Sequence, residues 1–292
     1  MTSPAQQQII NSRGANVSQL KVPQNSCDSH IHIYDSLFPY VGEFIDGATV
    51  NEYRAFQKRI GTTRAVVVNP RICGTDNRVT LDAIERLGVA NTRGIAVITP
   101  NISEAELSKL NDGGIRGVRF TLFSGVNAPT SFDMVEPVAQ KVKEFGWHLQ
   151  LHWTADQIVE HEQLIKRLMV PLVFDHIARI PVSAGVNHPA LIIVSNLLQE
   201  ERAWLKLSGA YLDSKVGQTQ NYSDLNDVAK AFVKAAPDRL VWGSDWPHPT
   251  EKLSKEKPND AQLMDLLISW VGDQNIIERI LVTNPKKLYQ FS

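Results

Sequence analysis

The constraint that bears hardest on this chain is an alternation repeated from one end to the other: short, β-branched apolar runs separated by longer segments of helical spacing. The runs are CDSHIHI (27–33), TRAVVVN (63–69), GIAVITP (94–100), GVRFTLF (117–123), WHLQLHW (147–153), PLVFDHI (171–177), WLKLSGA (204–210) and RLVWGSDW (239–246). Runs this continuous need cover on both faces, which is the condition of a parallel sheet between helices. The segments between them, among them DNRVTLDAIERLG, SEAELSKLNDGG, SFDMVEPVAQKVKEFG and SDLNDVAKAFVKAA, are amphipathic. Several open on a Ser, Asp or Asn suited to an N-cap, and several end at glycine. Eight strand–helix units in 292 residues is the count of a single (β/α)8 TIM barrel. An open doubly wound sheet is the other solution, but no glycine-rich phosphate turn follows the first run. No low-complexity linker divides the chain, so one barrel domain is expected over residues 22–292, behind a loose polar tail at 1–21.

Composition narrows the ligands. With 43% hydrophobic residues the chain can bury one large core, and its net charge of -1 gives no electrostatic reason to bind nucleic acid or an anionic membrane surface. Small molecules are the expected partners, and the sequence leaves a homo-oligomer open. The opening residues hold no continuous apolar stretch of the kind a signal peptide or membrane span requires. Cys27 and Cys73 are the two cysteines, each beside an apolar run, which suits small buried hydrophobes in a reducing cytoplasm.

Active sites of such barrels lie at the C-terminal ends of the strands. Read there, the first run offers His30 and His32, the second Asn69 and Arg71, the fourth Arg119, the fifth His152, and the sixth His176 with Arg179 beyond it. The seventh offers Ser208 and Tyr211, the eighth Asp245 and His248. Strand alternation puts Asp28, His30 and His32 on one face, so the two imidazoles point together into the barrel mouth. Such a cluster serves two chemistries: neutral imidazoles ligate a divalent metal such as zinc, or donate hydrogen bonds to a carbonyl whose oxygen turns negative in the transition state. The residue types alone leave both open. His148 and His161 are expected to be structural or solvated, Arg179 to cap or salt-bridge a loop, and Trp242 and Trp246 to pack the barrel. His248 is expected either to orient Asp245 or to touch substrate.

These motifs carry a resemblance. DSHIHI on strand 1, GTDNRVTLDAI after strand 2, GGIRGVRF at strand 4, PLVFDHIARIP at strand 6, LVWGSDWPHP at strand 8 and LVTNPKKLY near the end resemble the amidohydrolase superfamily. Within it they are similar to the branch of 2-pyrone-4,6-dicarboxylate lactonase and D-galactarolactone isomerase, from about Val22 to Tyr289. The resemblance implies that His30, His32 and His176 hydrogen-bond a lactone carbonyl, that Asp245 is the general base for water, and that Arg119 holds a substrate carboxylate. It also implies a reaction without a metal cofactor. Binuclear members of the superfamily bridge their metals with a carbamylated lysine, and the strand 4 and 5 runs contain none. The alternative within the resemblance is one zinc ion on His30, His32, His176 and Asp245.

Departures from the branch concern recognition. A second arginine of the lactonase, after strand 4, is missing from FTLFSGVN; another, after strand 7, has Tyr211 near its place; Arg71 replaces a small hydroxyl residue and His152 a tyrosine. Arg71 with Arg119 still suggests an acidic substrate, because a guanidinium pairs bidentately with a carboxylate. Tyr211, Ser208, Asn69 and His152 suit the hydroxyls of a sugar lactone. The expected activity is metal-independent hydrolysis of a lactone of a small carboxylic acid. A 1,5- to 1,4-lactone isomerase using the same residues is the alternative, and a mononuclear zinc hydrolase or decarboxylase the second.

Overall fold

β-Branched and leucine-rich runs form eight strands: β1 Cys27–Ile31, β2 Arg64–Val68, β3 Thr92–Ala96, β4 Ile115–Thr121, β5 His148–His152, β6 Leu172–Phe174, β7 Ala203–Leu207 and β8 Leu240–Trp242. They come from a computed structural model that describes residues 9–125, 128–251 and 256–292. The strands pair in sequence order, all parallel, with helices between them. This is the expected (β/α)8 barrel.

The barrel closes just beyond β8. The Asp245 N–H donates to the His30 carbonyl at 2.8 Å, the His32 N–H donates to the Trp246 carbonyl at 2.8 Å, and Ile31 bridges to Trp246. Glycine makes the seam possible: a Cβ at Gly243 would stand 2.7 Å from the His30 Cβ.

Local chemistry explains both agreements and departures. Ser103 and Thr154 form capping boxes with Glu106 and Gln157, as N-cap residues placed before amphipathic runs should. Asn77 instead bonds Thr75 and Val97, tying the loop after β2 to the end of β3. The expected third, sixth and eighth runs reached residues 100, 177 and 246, whereas their strands stop at Ala96, Phe174 and Trp242. At β6 and β8 the chain leaves the ladder where it begins to shape the rim.

The tail also departs from expectation. Residues 1–8 lie outside the described residues, but from Ile9 onward the segment is tied down rather than loose. The Trp246 indole donates to the Ile10 carbonyl at 3.2 Å, Asn11 bonds the carbonyls of Asp46 and Gly47, and the amides of Gln19 and Leu20 converge on Asp265. The polarity read as solvation is used in hydrogen bonds to the barrel. Trp242 and Trp246 are buried, Trp246 against Tyr53 and Phe56, and both cysteines are buried free thiols. Among the described residues no helix is long and apolar enough to cross a membrane.

Candidate active site

The seam that closes the barrel also gathers its imidazoles. Asp245 Oδ1 lies 3.4 Å from both His30 Nε2 and His32 Nε2, those two nitrogens are 3.3 Å apart, and His176 Nε2 is 3.9 Å from Asp245 Oδ2. Asp28, behind them, accepts from the Ser244 backbone N–H at 2.8 Å and the Ser244 hydroxyl at 2.6 Å, which fixes the residue before Asp245. Burial pushes the Asp28 carboxyl up to about 7. Burial also raises Asp245, but the imidazoles of His176, His30 and His32 outweigh it and hold the carboxyl well below the usual carboxylate range. Asp245 is therefore ionised at neutral pH, and its Oδ2 accepts a 2.6 Å hydrogen bond from the Tyr211 hydroxyl.

Which ring nitrogens carry protons follows from their partners. His32 Nδ1 is 2.8 Å from the Val68 carbonyl, which only accepts, so a neutral His32 presents a lone pair at Nε2. His176 Nε2 faces the Arg119 guanidinium, which only donates, so its proton sits on Nδ1 and goes to Ser208 Oγ at 2.9 Å. Burial lowers the His176 pKa to about 4 and keeps it neutral.

His176 owes its place to an unusual turn. His176, Ile177, Ala178 and Arg179 all have φ between 50° and 55°, four successive residues in the left-handed region. Such geometry costs about 1–2 kcal/mol per residue. It lets Asp175 and His176, which a strand would point to opposite faces, both serve the site. Gly209, at φ 64°, makes room, since a Cβ there would stand 2.7 Å from His176 Nδ1.

Beneath the cluster lies a polar floor that the sequence reading missed. Lys206 of β7 is fully buried and donates to the Ser29 carbonyl at 2.9 Å and Gln150 Oε1 at 2.8 Å; its Nζ stands 3.3 Å from His30 Nδ1 and 3.6 Å from Asp175 Oδ1. Asp175 Oδ2 accepts from Arg119 Nε at 2.9 Å and Gln150 Nε2 at 3.0 Å. Burial lowers the Lys206 pKa to about 8 against the pull of Asp175. Burial raises Asp175, and Arg119 and Lys206 outweigh it. Strand parity was the available sign, because Lys206 shares a face with Ser208, and Gln150 with His152. The strands β4 and β5 contain no lysine, and Lys206 lies on the Nδ1 side of His30, behind the cluster.

A cavity of about 270 Å³ opens above, walled by His32, His176, Asp245, Arg119, Arg71 and His152 with apolar Phe44, Ile45, Ile72 and Phe123. That is room for a small ring compound. Arg71 lies over the Phe123 ring and donates to the Ser124 carbonyl at 3.0 Å. His152 sits between Arg119, 3.0 Å from Nδ1, and Arg179, 3.2 Å from Nε2. Burial and then Arg119 keep that ring neutral. Of these two guanidiniums Arg119 lies on the cavity wall and Arg179 does not.

The remaining expected residues are placed elsewhere. Asn69 accepts from Thr80 Oγ at 2.8 Å and donates to the Gly74 carbonyl, off the cavity wall. Tyr211 meets the site through Asp245 and is not on that wall. The His248 ring bonds Asp260 at 3.1 Å and packs edge-on against Tyr211, so its side chain contacts neither Asp245 nor the cavity. Arg179 pairs with Asp213 at 2.6 and 2.9 Å, the loop salt bridge expected of it. His148 is a buried strand residue against Tyr289, and His161 stacks on Phe132.

An amidohydrolase family model matches residues 27–291. The chain belongs to the amidohydrolase family. It is 32% identical to the 4-sulfomuconolactone hydrolase of Rhizobium radiobacter, over 92% of this chain and 91% of that one. It is 31% identical to a 2-pyrone-4,6-dicarboxylate hydrolase of Comamonas testosteroni, over 93% and 92%. Among solved structures, one from Acinetobacter baumannii, described as a probable 2-pyrone-4,6-dicarboxylic acid hydrolase with citric acid bound, is 25% identical with a TM-score of 0.76, over 92% and 100%.

Proposed function

We propose that this amidohydrolase hydrolyses the ester bond of a small lactone that carries an acidic group. The observation that carries the reading is a buried Asp245, set against the His30 and His32 imidazoles, on the wall of a cavity that also holds the Arg71 and Arg119 guanidiniums. The family relatives named as lactone hydrolases support it. In the reaction Asp245 takes a proton from water as the oxygen adds to the carbonyl, then returns it to the departing ring oxygen. The N–H donor at hand for the developing oxyanion would be His30 protonated on Nε2. Neutral His176, with its proton on Nδ1, presents a lone pair, which revises its expected role as a carbonyl donor. Arg71 and Arg119, the two guanidiniums on the cavity wall, would hold the acidic group. In this reading no metal is required.

A second reading is favoured by one observation. His30 Nε2, His32 Nε2 and Asp245 Oδ1 form a triangle with edges of 3.3, 3.4 and 3.4 Å. Tetrahedral zinc with bonds of about 2.0–2.1 Å spaces its ligand atoms about 3.3 Å apart. The donor set therefore fits a zinc ion held by His30, His32, His176 and Asp245, provided His30 carries its proton on Nδ1. Zinc there would polarise the carbonyl and acidify water.

Both are tested by a panel of acidic and neutral lactones of equal ring size, followed by proton release and NMR, before and after chelation. Ring opening of acidic lactones, one proton per turnover and resistance to chelation are expected. With Arg119→Met the loss should be about 1.5–3 kcal/mol in kcat/KM on acidic lactones and small on neutral ones. Equal losses would withdraw the acidic substrate. A rearranged lactone as product would replace hydrolysis by isomerisation, and activity restored only by zinc would select the second reading.

A further inference from the structure

Most polar side chains on the cavity wall already have partners within the protein. Arg119 bonds Asp175 and His152, His176 bonds Ser208, and Lys257 donates to the carbonyls of Pro247, His248 and Glu251. Two hydroxyls on the same wall differ. Tyr34 is 3% exposed and Thr121 7% exposed, yet neither side-chain oxygen has a hydrogen-bond partner among the described residues. Neither oxygen is sealed inside the protein, and the surface each keeps faces the cavity. A buried hydroxyl without a partner is costly, and a molecule in the cavity is the partner within reach.

We propose that Tyr34 and Thr121 are specificity-determining residues whose hydroxyls bind hydroxyl groups on the ring of an acidic lactone. Packing accounts for the rest of each side chain but not for its oxygen. The Tyr34 ring stacks on Tyr40 and meets Phe44 edge-on, both at 6.2 Å, contacts that a phenylalanine would make equally well. Thr121 ends β4, where valine offers the same branched shape. The two oxygens are therefore extra to the fold. A hydroxyl both donates and accepts, so a substrate hydroxyl meets it in either direction. An anion on the substrate is already answered by Arg71 and Arg119.

Their places in the barrel suit two separate contacts. Thr121 follows Arg119 by two residues on β4, so the two side chains share a face and Thr121 lies nearer the C-terminal mouth. Tyr34 follows His32 by two residues, and its N–H is held by the Ala48 carbonyl at 2.9 Å. Because β2 and β3 lie between β1 and β4, the hydroxyls approach the cavity from different sides. A substrate held by its acidic group meets Thr121 next to that group and Tyr34 on the side of His32. A ring bearing hydroxyls satisfies both, whereas a bare ring leaves two desolvated hydroxyls unpaired, the penalty by which polar sites reject analogues. Hydroxyl recognition expected of Asn69 and Tyr211, which lie off the wall, thus passes to Tyr34 and Thr121.

The kinetic consequence rests on the lactone-opening reading; binding tests the hydroxyl contacts without turnover. The full chain and its Tyr34→Phe and Thr121→Val variants are assayed on acidic lactones of one ring size, in pairs with and without ring hydroxyls. They are also titrated calorimetrically with succinate, malate and tartrate, which share their carboxylates and differ by one hydroxyl at each step. Wild type should favour the hydroxylated lactone about tenfold or more in kcat/KM and bind the dicarboxylates more tightly with each hydroxyl. Each variant should lose about three- to tenfold on the hydroxylated lactone, mostly in KM, and little on its bare partner, with tartrate weakened by a similar factor. Thr121→Ser, which keeps the hydroxyl, should stay near wild type. Equal wild-type rates on the paired lactones, or equal losses on both, would overturn the proposal and leave lactone opening intact. Hydroxyl-dependent binding in a protein that opens no lactone would leave the proposal standing and remove the reaction. No lactone opened and no preference among the dicarboxylates would overturn both. If a variant does not fold, the wild-type preference still decides.

Discussion

At the rim, His32, His176 and Asp245 border the cavity and each directs an atom into it; one layer down, Lys206, Asp175 and Gln150 are as polar but turn nearly every donor and acceptor on one another. The rim is arranged for a partner that arrives from outside, and the floor for partners already present. Groups fixed in advance need not reorganise when charge develops, which is where most electrostatic stabilisation of a transition state originates. Support of this kind is costly to interrupt. Removing one member of a buried ionic set leaves the others uncompensated.

The contrast can be broken at its strongest point first. Asp245→Asn should lower kcat by about 100- to 10,000-fold, the range for a lost general base, while thermal denaturation changes little. A fall in stability as large as that of a floor variant would put Asp245 in the support. Asp175→Asn should do the opposite, costing about 3–5 kcal/mol in urea unfolding because Arg119 and Lys206 lose their shared anion. A loss under 1 kcal/mol would mean that the floor is redundant.

The smallest effect concerns pH and touches both layers. His148 below and His176 above are buried neutral, with pKa values lowered by burial to about 3 and about 4. Their folded pKa values lie under the unfolded value of about 6.5, so the unfolded chain binds more protons and stability falls as pH drops from 6.5 towards 4. Each contributes about 1.4 kcal/mol per pH unit, together about 2.7. A urea midpoint unchanged between pH 6.5 and 5 would show that neither ring is held neutral.

Much of the rim was legible because its residues end apolar runs, where polarity is conspicuous: HIH after Asp28 and SDW after Trp242 stand out in a parallel strand. The floor was not, for a reason of distance. Lys206 in WLKLSGA looks like a solvated edge charge until the barrel brings it against Ser29, which is 177 positions away in the chain. Asp175 was hidden by its neighbour, since strand alternation assigns Asp175 and His176 opposite faces and only the left-handed turn after Phe174 releases both from that rule. Asn69 and His248 were misleading in the other direction. Each sits at a strand end, yet helix packing claims Asn69 through Thr80, and Asp260 claims His248. Position along a strand indicated where side chains gather but not which neighbours take their hydrogen bonds.

The seam between His30 and Asp245 has a consequence for how the molecule comes into being. Asp245 and the β1 imidazoles it faces, His30 and His32, come from opposite ends of the chain and meet where the Asp245 N–H bonds the His30 carbonyl. The strands β1 to β7 and the floor residues Gln150, Asp175 and Lys206 all precede Asp245 in the chain. On the proposed reaction, activity would begin with the final closure, and a circular permutant opened inside the 243–246 segment should sever catalysis while sparing most of the framework.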